Sequence, residues 1–299
     1  MQAKISVVLN TLNNEDIIER AIRSVKWADE VIVCDMNSED KTVEVAKRLG
    51  AKIFIHEKSE YVELVRNFII SKATNHWVLI LDPDEEVPQR LAQKLGEIAN
   101  DSGQIDFVRL PRKNIIFHNW MKAAMWWPDY NIRFFKKGMV HWDNKIHRPP
   151  QTEGKGIDLE ANEDFALIHH HYKTIPQFLE RMIRYTKIQA KELKEEGYKF
   201  DWKDLIKKPL GEFLSRFFVS RGFEDGLHGL ALSLLQSFSF LIVYLRLWEM
   251  EKFKPEVINT KELRQISRLS GNEIDYWFKY NNLSKNPVKR FIQKVQNRI

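Results

Sequence analysis

The sequence predicts an α/β protein in which a mainly parallel sheet with flanking helices is followed by a helical C-terminal region. Over about the first 110 residues, short apolar runs bounded by polar turns alternate with segments of helical apolar spacing. Strands and helices that alternate in this way form parallel sheets with right-handed crossovers. The last third of the chain instead contains long segments with helical spacing.

The first predicted strand is a short apolar run bounded by Asn10 and Thr11, which is typical of a strand buried in a parallel sheet. The predicted strands cover residues 5–9, 31–34, 52–56, 77–81 and 107–110. The predicted helices between them cover residues 17–25, 43–49, 61–72 and 91–98. Asn13 or Asn14 can cap the first helix and Ser38 or Asp40 the second, and Gly50 can end the second.

The composition is that of a globular protein of 299 residues, 43% hydrophobic and 29% charged. A single cysteine, Cys34, ends an apolar run, which favours core packing in a reducing compartment. No signal peptide is predicted, because a strand begins by Lys4. We expect a sheet domain over 1–172, a helical region over 173–252 and a basic helical tail over 253–299.

Four carboxylates follow the fourth predicted strand in the run Asp82-Pro83-Asp84-Glu85-Glu86. Clustered like charges raise one another's pKa, and a hard divalent cation such as Mg²⁺ or Mn²⁺ removes the repulsion. The alternative is a solvated turn before a helix that starts near Pro88, since acids favour helix N-termini. Both interpretations are open on this run alone.

Polar clusters also follow the first two predicted strands, at residues 11–15 and 35–40. The carboxyl ends of parallel strands meet at one edge of a sheet, and ligands bind there. The first strand–helix turn contains no glycine, which argues against a dinucleotide fingerprint, and the chain has no G-x-x-x-x-G-K-[ST] loop. A nucleotide diphosphate at this edge would therefore be held through a metal rather than by a glycine-rich loop.

Together these loops resemble the nucleotide-sugar domain of family 2 glycosyltransferases, which have the GT-A fold, a Rossmann-like sheet with flanking helices. The matching segments are Thr11-Leu12-Asn13-Asn14-Glu15, Asp35 with Ser38-Glu39-Asp40-Lys41-Thr42, Arg66-Asn67, and Asp82-Pro83-Asp84. The resemblance implies a UDP-sugar as donor and Mg²⁺ or Mn²⁺ as cofactor. It also implies that the donor contacts Thr11, Asn13, Glu15, Asp35, Arg66 and Asp82, with Asp35 facing uracil, Glu15 the ribose, and Asp82 the ribose or diphosphate.

The resemblance makes Asp84 a metal ligand and His169 a candidate for another. On a strand, His169 and His171 share one face and His170 points to the other. The alternative for His169 is a packed or hydrogen-bonded histidine.

Two later segments resemble the lipopolysaccharide core β-1,4-glucosyltransferase type. Residues 127–135 read W-P-D-x-x-x-R-F-F, and residues 167–174 correspond to L-L-H-Y-S-Y-R-S in relatives. Relatives have V-H-E where this chain has Ile146-His147-Arg148, so the glutamate is replaced. An inverting transfer needs a carboxylate to accept the acceptor's proton, and we favour Asp129 for it, with Asp143 as the alternative.

The C-terminal third offers a membrane contact. Residues 230–247 are strongly apolar, and residues 276–299 carry six basic residues and no acidic one. The alternatives are a core helix and a solvated tail.

The resemblance therefore implies an inverting hexosyltransferase acting on a membrane-associated glycan such as lipopolysaccharide core, at the inner face of the cytoplasmic membrane. The different-class alternative is a non-catalytic, membrane-associated sugar- or nucleotide-binding protein with the same fold. No nucleic-acid partner is expected, because the predicted site is acidic.

Overall fold

The structure is a computed structural model that describes residues 3–59, 63–101, 103–143 and 149–281. The chain divides into two compact units, of which the first comprises Met1–Trp120 and Trp126–His171. The second comprises Met121–Met125 and Tyr172–Ile299. The predicted division at residues 172 and 252 stays a prediction, and residues 282–299 lie outside the described residues.

The secondary structure follows the predicted order. The strands are β1 (Ile5–Thr11), β2 (Glu30–Asp35), β3 (Lys52–Ile55), β4 (Trp77–Ile80), β5 (Glu85–Glu86), β6 (Phe107–Leu110), β7 (Arg112–Ile116), β8 (Asn119–Trp120), β9 (Asn131–Lys136), β10 (Val140–His141), β11 (Gln151–Thr152), β12 (Gly156–Asp158) and β13 (Leu167–Tyr172). The α-helices are α1 (Ile18–Ser24), α2 (Thr42–Arg48), α3 (Glu63–Lys72), α4 (Gln89–Asn100), α5 (Ile175–Glu195), α6 (Asp204–Leu214), α7 (Gly226–Met250) and α8 (Thr260–Asn281).

The main sheet of the first unit has seven strands in the order β12-β6-β9-β4-β1-β2-β3. Strands β1, β2, β3 and β4 are parallel to their neighbours in this group, and β9 pairs antiparallel with both β4 and β6. The carboxyl ends of β1, β2 and β4 therefore meet at one edge, as predicted.

The central strands β1 and β4 are buried on both faces of the sheet, and successive side chains of a strand point to opposite faces. On β1, Val7 and Leu9 pack into the cluster that includes helices α1, α2 and α4. Val8 packs into the other cluster, which includes Ile69 of α3. This two-sided burial explains why the strands appear in the sequence as uninterrupted apolar runs.

One buried carboxylate ties the start of β2 to its neighbours. Glu30 accepts hydrogen bonds from the Ser6 hydroxyl at 2.6 Å, Lys52 Nζ at 2.6 Å and the Thr74 backbone N–H at 2.9 Å. Burial opposes ionisation, but these hydrogen bonds prevail and lower the pKa of Glu30 to about 2.

A second sheet of four strands, in the order β5-β13-β7-β8, completes the first unit. β13 pairs antiparallel with β5, so that His169 is the register partner of Glu85. This pairing brings the histidine strand beside the acidic run, although the two segments are far apart along the chain.

The second unit is helical. Helix α7 packs against α5 and α6 around a cluster formed by Ala190, Val243, Tyr244 and Leu247. One stretch in the described part of the chain, Gly222–Met250, is by length and composition capable of crossing a bilayer. The predicted fold class is confirmed by the sheet topology and by this helical region.

Candidate functional site

The turns after β1 and β2 lie side by side and are joined by hydrogen bonds. Thr11 and Asp35, which end the two strands, are register partners. The Asn13 Oδ1 atom accepts from the Glu39 backbone N–H at 2.9 Å, and the Asn13 backbone N–H donates to the Ser38 hydroxyl at 2.8 Å. Asn13 adopts φ 52°, a left-handed conformation that asparagine tolerates better than most residues. The turn therefore forms without glycine.

Glu15 extends this polar edge. Its Oε2 atom accepts from the Lys41 backbone N–H at 2.8 Å, and its own backbone N–H donates to Asp40 Oδ2 at 3.1 Å. Burial raises the pKa of Asp40, but hydrogen bonds from Thr42 and Glu15 outweigh it, so the net pKa is lowered. The structure thus brings four predicted donor-binding residues together: Thr11, Asn13, Glu15 and Asp35.

Asp35, proposed from the resemblance to face uracil, is buried against its own turn. Its Oδ1 atom accepts from the Ser38 hydroxyl at 2.5 Å, and its Oδ2 atom from the Ser38 backbone N–H at 2.8 Å. A base N–H binding to this carboxylate would have to share an oxygen with Ser38.

Asp82 follows β4 and is held by two arginines. Arg66 Nη2 of α3 donates to Asp82 Oδ1 at 3.2 Å, and Arg133 Nη2 of β9 donates to Asp82 Oδ2. Burial raises the pKa of Asp82, but the two arginines outweigh it and hold the pKa well below the usual value of 3.8. Asp82 therefore stays ionised.

Glu85 completes a buried charge cluster with Asp82. Its side chain is 0% exposed; Oε1 accepts from Arg133 Nη2 at 2.6 Å and lies 3.5 Å from Arg112 Nη1, while Oε2 accepts from the Asp82 backbone N–H at 2.9 Å. Burial disfavours the charged form of Arg133, but Asp82 and Glu85 prevail and raise its pKa. Arginines therefore offset the repulsion predicted among the acidic residues, and this corrects the argument that a cation must offset it.

Asp84 lies beside His169 of β13. His169 Nε2 lies 3.5 Å from Asp84 Oδ2, and His169 Nδ1 is 2.6 Å from Asn114 Oδ1 of β7. The ring centroids of His169 and His171 are 4.5 Å apart, which agrees with the predicted shared face of the strand. The two residues predicted as metal ligands are therefore neighbours.

His170 points to the other side of β13. Its Nε2 atom is 3.3 Å from Glu86 Oε2, and Arg20 Nε is 3.9 Å from the same oxygen. Burial and the nearby Arg20 lower the pKa of His170. The fourth carboxylate of the acidic run thus also has a cation beside it.

Asp129, the favoured base, is held on both oxygens. Oδ2 accepts from Arg112 Nε at 3.0 Å, Arg112 Nη2 at 2.6 Å and Asn114 Nδ2 at 3.1 Å, and Oδ1 accepts from Asn131 Nδ2 at 3.2 Å. Burial raises the pKa of Asp129, but Arg112 and Asn114 outweigh it, so the net pKa is lowered. This carboxylate is ionised and has a reduced affinity for protons.

Asp143, the alternative base, follows β10. Gln151 Nε2 donates to its two oxygens at 3.1 and 3.2 Å. The preceding residue, Trp142, is anchored by the side-chain amide of Asn67. This amide donates to the Trp142 carbonyl oxygen at 2.7 Å and accepts from the Trp142 backbone N–H at 3.0 Å. Residues 144–148, which include Arg148, lie outside the described residues.

The chemistry of the Asp84–His169 pair fits a divalent cation. Two ligands of one ion, each bonded at about 2.1 Å, lie within about 4.2 Å of each other, and the observed 3.5 Å satisfies this limit. Among residues 3–59, 63–101, 103–143 and 149–281, no group of three or more His, Cys, Asp or Glu side chains is arranged to hold a metal. A cation here would take its other ligands from phosphate oxygens and water.

Three residues of the site were not assigned a role from the sequence. Arg112, Asn114 and Arg133 contact the predicted residues only because β7 and β9 fold back beside β13 and β4. Arg133 carried a signal, since it belongs to the W-P-D-x-x-x-R-F-F segment, whereas nothing in the sequence singled out the other two.

A known family model matches slightly more than half of the chain. The model described as glycosyl transferase family 2 matches residues 6–163. An uncharacterized glycosyltransferase of Rickettsia typhi is 32% identical over 267 residues, which cover 85% of this chain and 90% of the relative. A lipopolysaccharide core biosynthesis glycosyltransferase of Rhizobium meliloti is 22% identical over 231 residues, 75% of this chain and 84% of the relative.

Among solved structures, the chain is similar to glucosyl-3-phosphoglycerate synthase from Mycobacterium tuberculosis in complex with Mn²⁺, UDP and glucosyl-3-phosphoglycerate. The TM-score is 0.30 and the identity 27%, over 36% of this chain and 43% of that enzyme. The family model alone spans more than half of the sequence, and the Rickettsia relative extends the similarity over most of it. The chain belongs to glycosyl transferase family 2.

Proposed function

We propose that the chain transfers a hexose from a UDP-sugar, with inversion, to a membrane-associated glycan such as lipopolysaccharide core or a similar surface glycolipid. The observation that carries this proposal is the Asp84–His169 pair, in which Asp84 follows β4, in a member of glycosyl transferase family 2. The lipopolysaccharide core glycosyltransferase of Rhizobium meliloti supports the acceptor class.

Each predicted residue has a defined task in this proposal. Thr11, Asn13, Glu15 and Asp35 bind the nucleoside, and Arg66 with Asp82 lies toward the diphosphate. Asp84 and His169 hold Mg²⁺ or Mn²⁺, which when bound offsets the negative charge on the departing UDP.

The transfer itself needs one proton acceptor. The acceptor hydroxyl oxygen forms a bond to the anomeric carbon, the bond from that carbon to UDP breaks, and the hydroxyl proton passes to a carboxylate. Asp129 is our first candidate because its lowered pKa keeps it ionised, and Asp143 is the second candidate.

The central experiment uses the full chain with Mn²⁺ and radiolabelled UDP-glucose, UDP-galactose or UDP-GlcNAc, with and without membrane extract. Release of UDP, free sugar and labelled lipid are measured separately. We expect transfer from one of the donors. Asp84→Asn should lower turnover by about 10²–10³-fold, the size expected when charge stabilisation is removed. The matched control is Asp164→Asn, which removes a carboxylate paired with Arg90 at the surface. Tight UDP-sugar binding without turnover in the wild type would favour the non-catalytic binding protein.

The base is assigned by two variants. Asp129→Asn should lower turnover by about 10²–10⁴-fold while the affinity for UDP-sugar is kept. Wild-type turnover in Asp129→Asn together with this loss in Asp143→Asn would move the role to Asp143.

The acceptor proposal includes peripheral contact with the inner face of the cytoplasmic membrane. In the second unit, Leu227, Leu234 and Phe238 of α7 are 78%, 53% and 44% exposed, which is unusual for such apolar side chains and suits an interfacial helix. We expect flotation with anionic liposomes, weakened by Leu234→Glu and by removal of residues 276–299. Gln236→Glu adds the same charge to the same helix at a polar position and should float as the wild type does. Unchanged flotation in Leu234→Glu and after removal of residues 276–299 would contradict the proposal.

A further inference from the structure

Asn114 of β7 joins the two parts of the candidate site. It is 0% exposed. Its Oδ1 atom is 2.6 Å from His169 Nδ1, while its Nδ2 atom is 3.1 Å from Asp129 Oδ2 and 2.8 Å from the Trp126 carbonyl oxygen. One buried amide therefore contacts both the histidine predicted as a metal ligand and the favoured base.

The orientation of this amide is fixed by its partners. The Trp126 carbonyl can only accept a hydrogen bond, and so can the ionised Asp129 carboxylate. The NH₂ end of Asn114 must therefore face these two oxygens, because a flipped amide would bring three acceptors together. It follows that Oδ1 faces His169, and that His169 Nδ1 carries the hydrogen and donates it.

The tautomer of His169 decides what its other nitrogen can do. With the proton on Nδ1, the neutral ring has a lone pair on Nε2, the atom 3.5 Å from Asp84 Oδ2. With the proton on Nε2, the ring would donate toward Asp84 itself and no lone pair would be left there for a cation.

We propose that Asn114 is a positioning residue that holds His169 in the Nδ1–H tautomer, so that Nε2 and Asp84 together accept a divalent cation of the Mg²⁺ or Mn²⁺ class. The inference rests on the proposed function for the cation, but its statement about the tautomer concerns the metal-free protein. Residues that orient a ligand histidine in this way typically change metal affinity by about 10–100-fold when they are replaced.

The first test is the ¹⁵N spectrum of the histidine rings in the metal-free full chain, near pH 8.5, where an ordinary imidazole is neutral. The His169 signals are assigned by their absence in His169→Gln. We expect the Nδ1–H tautomer in the wild type, and an Nε2–H tautomer in the wild type would overturn the inference without any variant having to fold.

Three variants then separate the contacts. Asn114→Leu removes all three of these hydrogen bonds, whereas Asn114→Asp keeps an oxygen for His169 and changes the contact with Asp129. Asn131→Leu is the matched control, since the Asn131 amide also donates to Asp129, to Oδ1 at 3.2 Å and to the backbone carbonyl oxygen at 3.3 Å, and neither of these bonds involves His169. Folding of each variant is checked by circular dichroism.

The second measurement is Mn²⁺ affinity in the presence of UDP, by titration followed with electron paramagnetic resonance. Asn114→Leu should bind about 10–100-fold more weakly and lose the Nδ1–H tautomer, while Asn114→Asp and Asn131→Leu keep the tautomer. Wild-type affinity in a folded Asn114→Leu would overturn the inference and leave the proposed function standing. A wild-type protein that binds no Mn²⁺ with UDP would contradict the cation in both proposals, even if the tautomer is as stated.

Discussion

Replacing Arg133 with methionine tests whether the buried charge cluster, rather than a cation, holds the acidic run in place. Arg133 is 3% exposed and contacts both Asp82 and Glu85. Removing one partner of a buried ion pair costs about 3–5 kcal/mol, because it leaves an uncompensated charge. Arg66 and Arg112 still lie 3.2 Å from Asp82 and 3.5 Å from Glu85, so we expect the lower end, about 3 kcal/mol.

The loss should depend on pH. In the wild type the arginines hold the pKa of Asp82 below 3.8, so the ionised cluster stabilises the fold above that pH and the contribution is lost as the pH falls through the lowered value. The difference in stability between wild type and Arg133→Met should therefore be full at neutral pH and shrink below about pH 4.

The assay is urea unfolding monitored by hydrogen exchange of peptides from β4 and β9. Because both strands belong to the first unit, the signal reports on that unit alone. A loss of about 3 kcal/mol moves the midpoint by about 1–1.5 M urea. Arg133→Lys, which keeps the charge, should retain part of the stability that Arg133→Met loses. The control is Arg90→Met, because Arg90 is 71% exposed in its pair with Asp164 and should change stability by about 0.5 kcal/mol or less. A loss in Arg133→Met no larger than in Arg90→Met would refute the reasoning.

Three other predictions concern stability and metal. The Glu30→Gln variant should lose about 3 kcal/mol of unfolding free energy at pH 7, because the pKa of Glu30 falls from 4.5 to about 2 on folding. Denaturation measured at several pH values should show this loss vanish as the pH falls toward 2. The exposed control Glu44→Gln should show neither the loss nor its pH dependence. Gly229→Ala would set its Cβ 1.8 Å from the Gly222 carbonyl oxygen and should lower the free energy of unfolding of the second unit by about 1–3 kcal/mol. The control is Gly271→Ala on α8, whose Cβ would meet no atom within 4 Å and which should be neutral or slightly stabilising. Chelation with EDTA should stop transfer and Mn²⁺ should restore it, while circular dichroism shows the chelated protein still folded; unfolding on chelation would contradict the arginine-based account of the acidic run.

The parallel part of the main sheet could be predicted because its signals are local. A strand buried on both faces needs a contiguous apolar run, and the run that ends at Leu9 and the run that ends at Cys34 both become strands of this kind. The prediction ended these two strands early, by two residues and by one, since hydrogen bonding continues into the polar turns as far as Thr11 and Asp35.

The antiparallel strand β9 and the second sheet could not be predicted in the same way. Whether residues 131–136 pair with β4 is decided by contacts between segments more than 50 residues apart, and no local pattern encodes that choice. Arg133 is therefore visible in the sequence as part of a motif, but its place between Asp82 and Glu85 follows only from the pairing.

The acidic run shows why a count of charges is a weak guide to a metal site. Asp82 and Glu85 face arginines, and Glu86 lies beside Arg20 and His170, so the repulsion that seemed to call for a cation is already offset by the protein. Asp84 lies beside the His169 imidazole, and the two can share a cation only when Nε2 of the ring carries no proton.

The stronger argument for a cation is thus one that the sequence could not supply. The carboxylates of Asp82 and Glu85 are fixed by arginines, which gives the turn at residues 82–86 a defined shape without metal. Asp84 and His169 are left beside each other on this rigid support, and Asn114 sets the ring so that a lone pair faces the carboxylate. If Asp84 and His169 hold an ion as we propose, little reorganisation is needed when the ion and a diphosphate bind, because the two side chains are already oriented before either arrives.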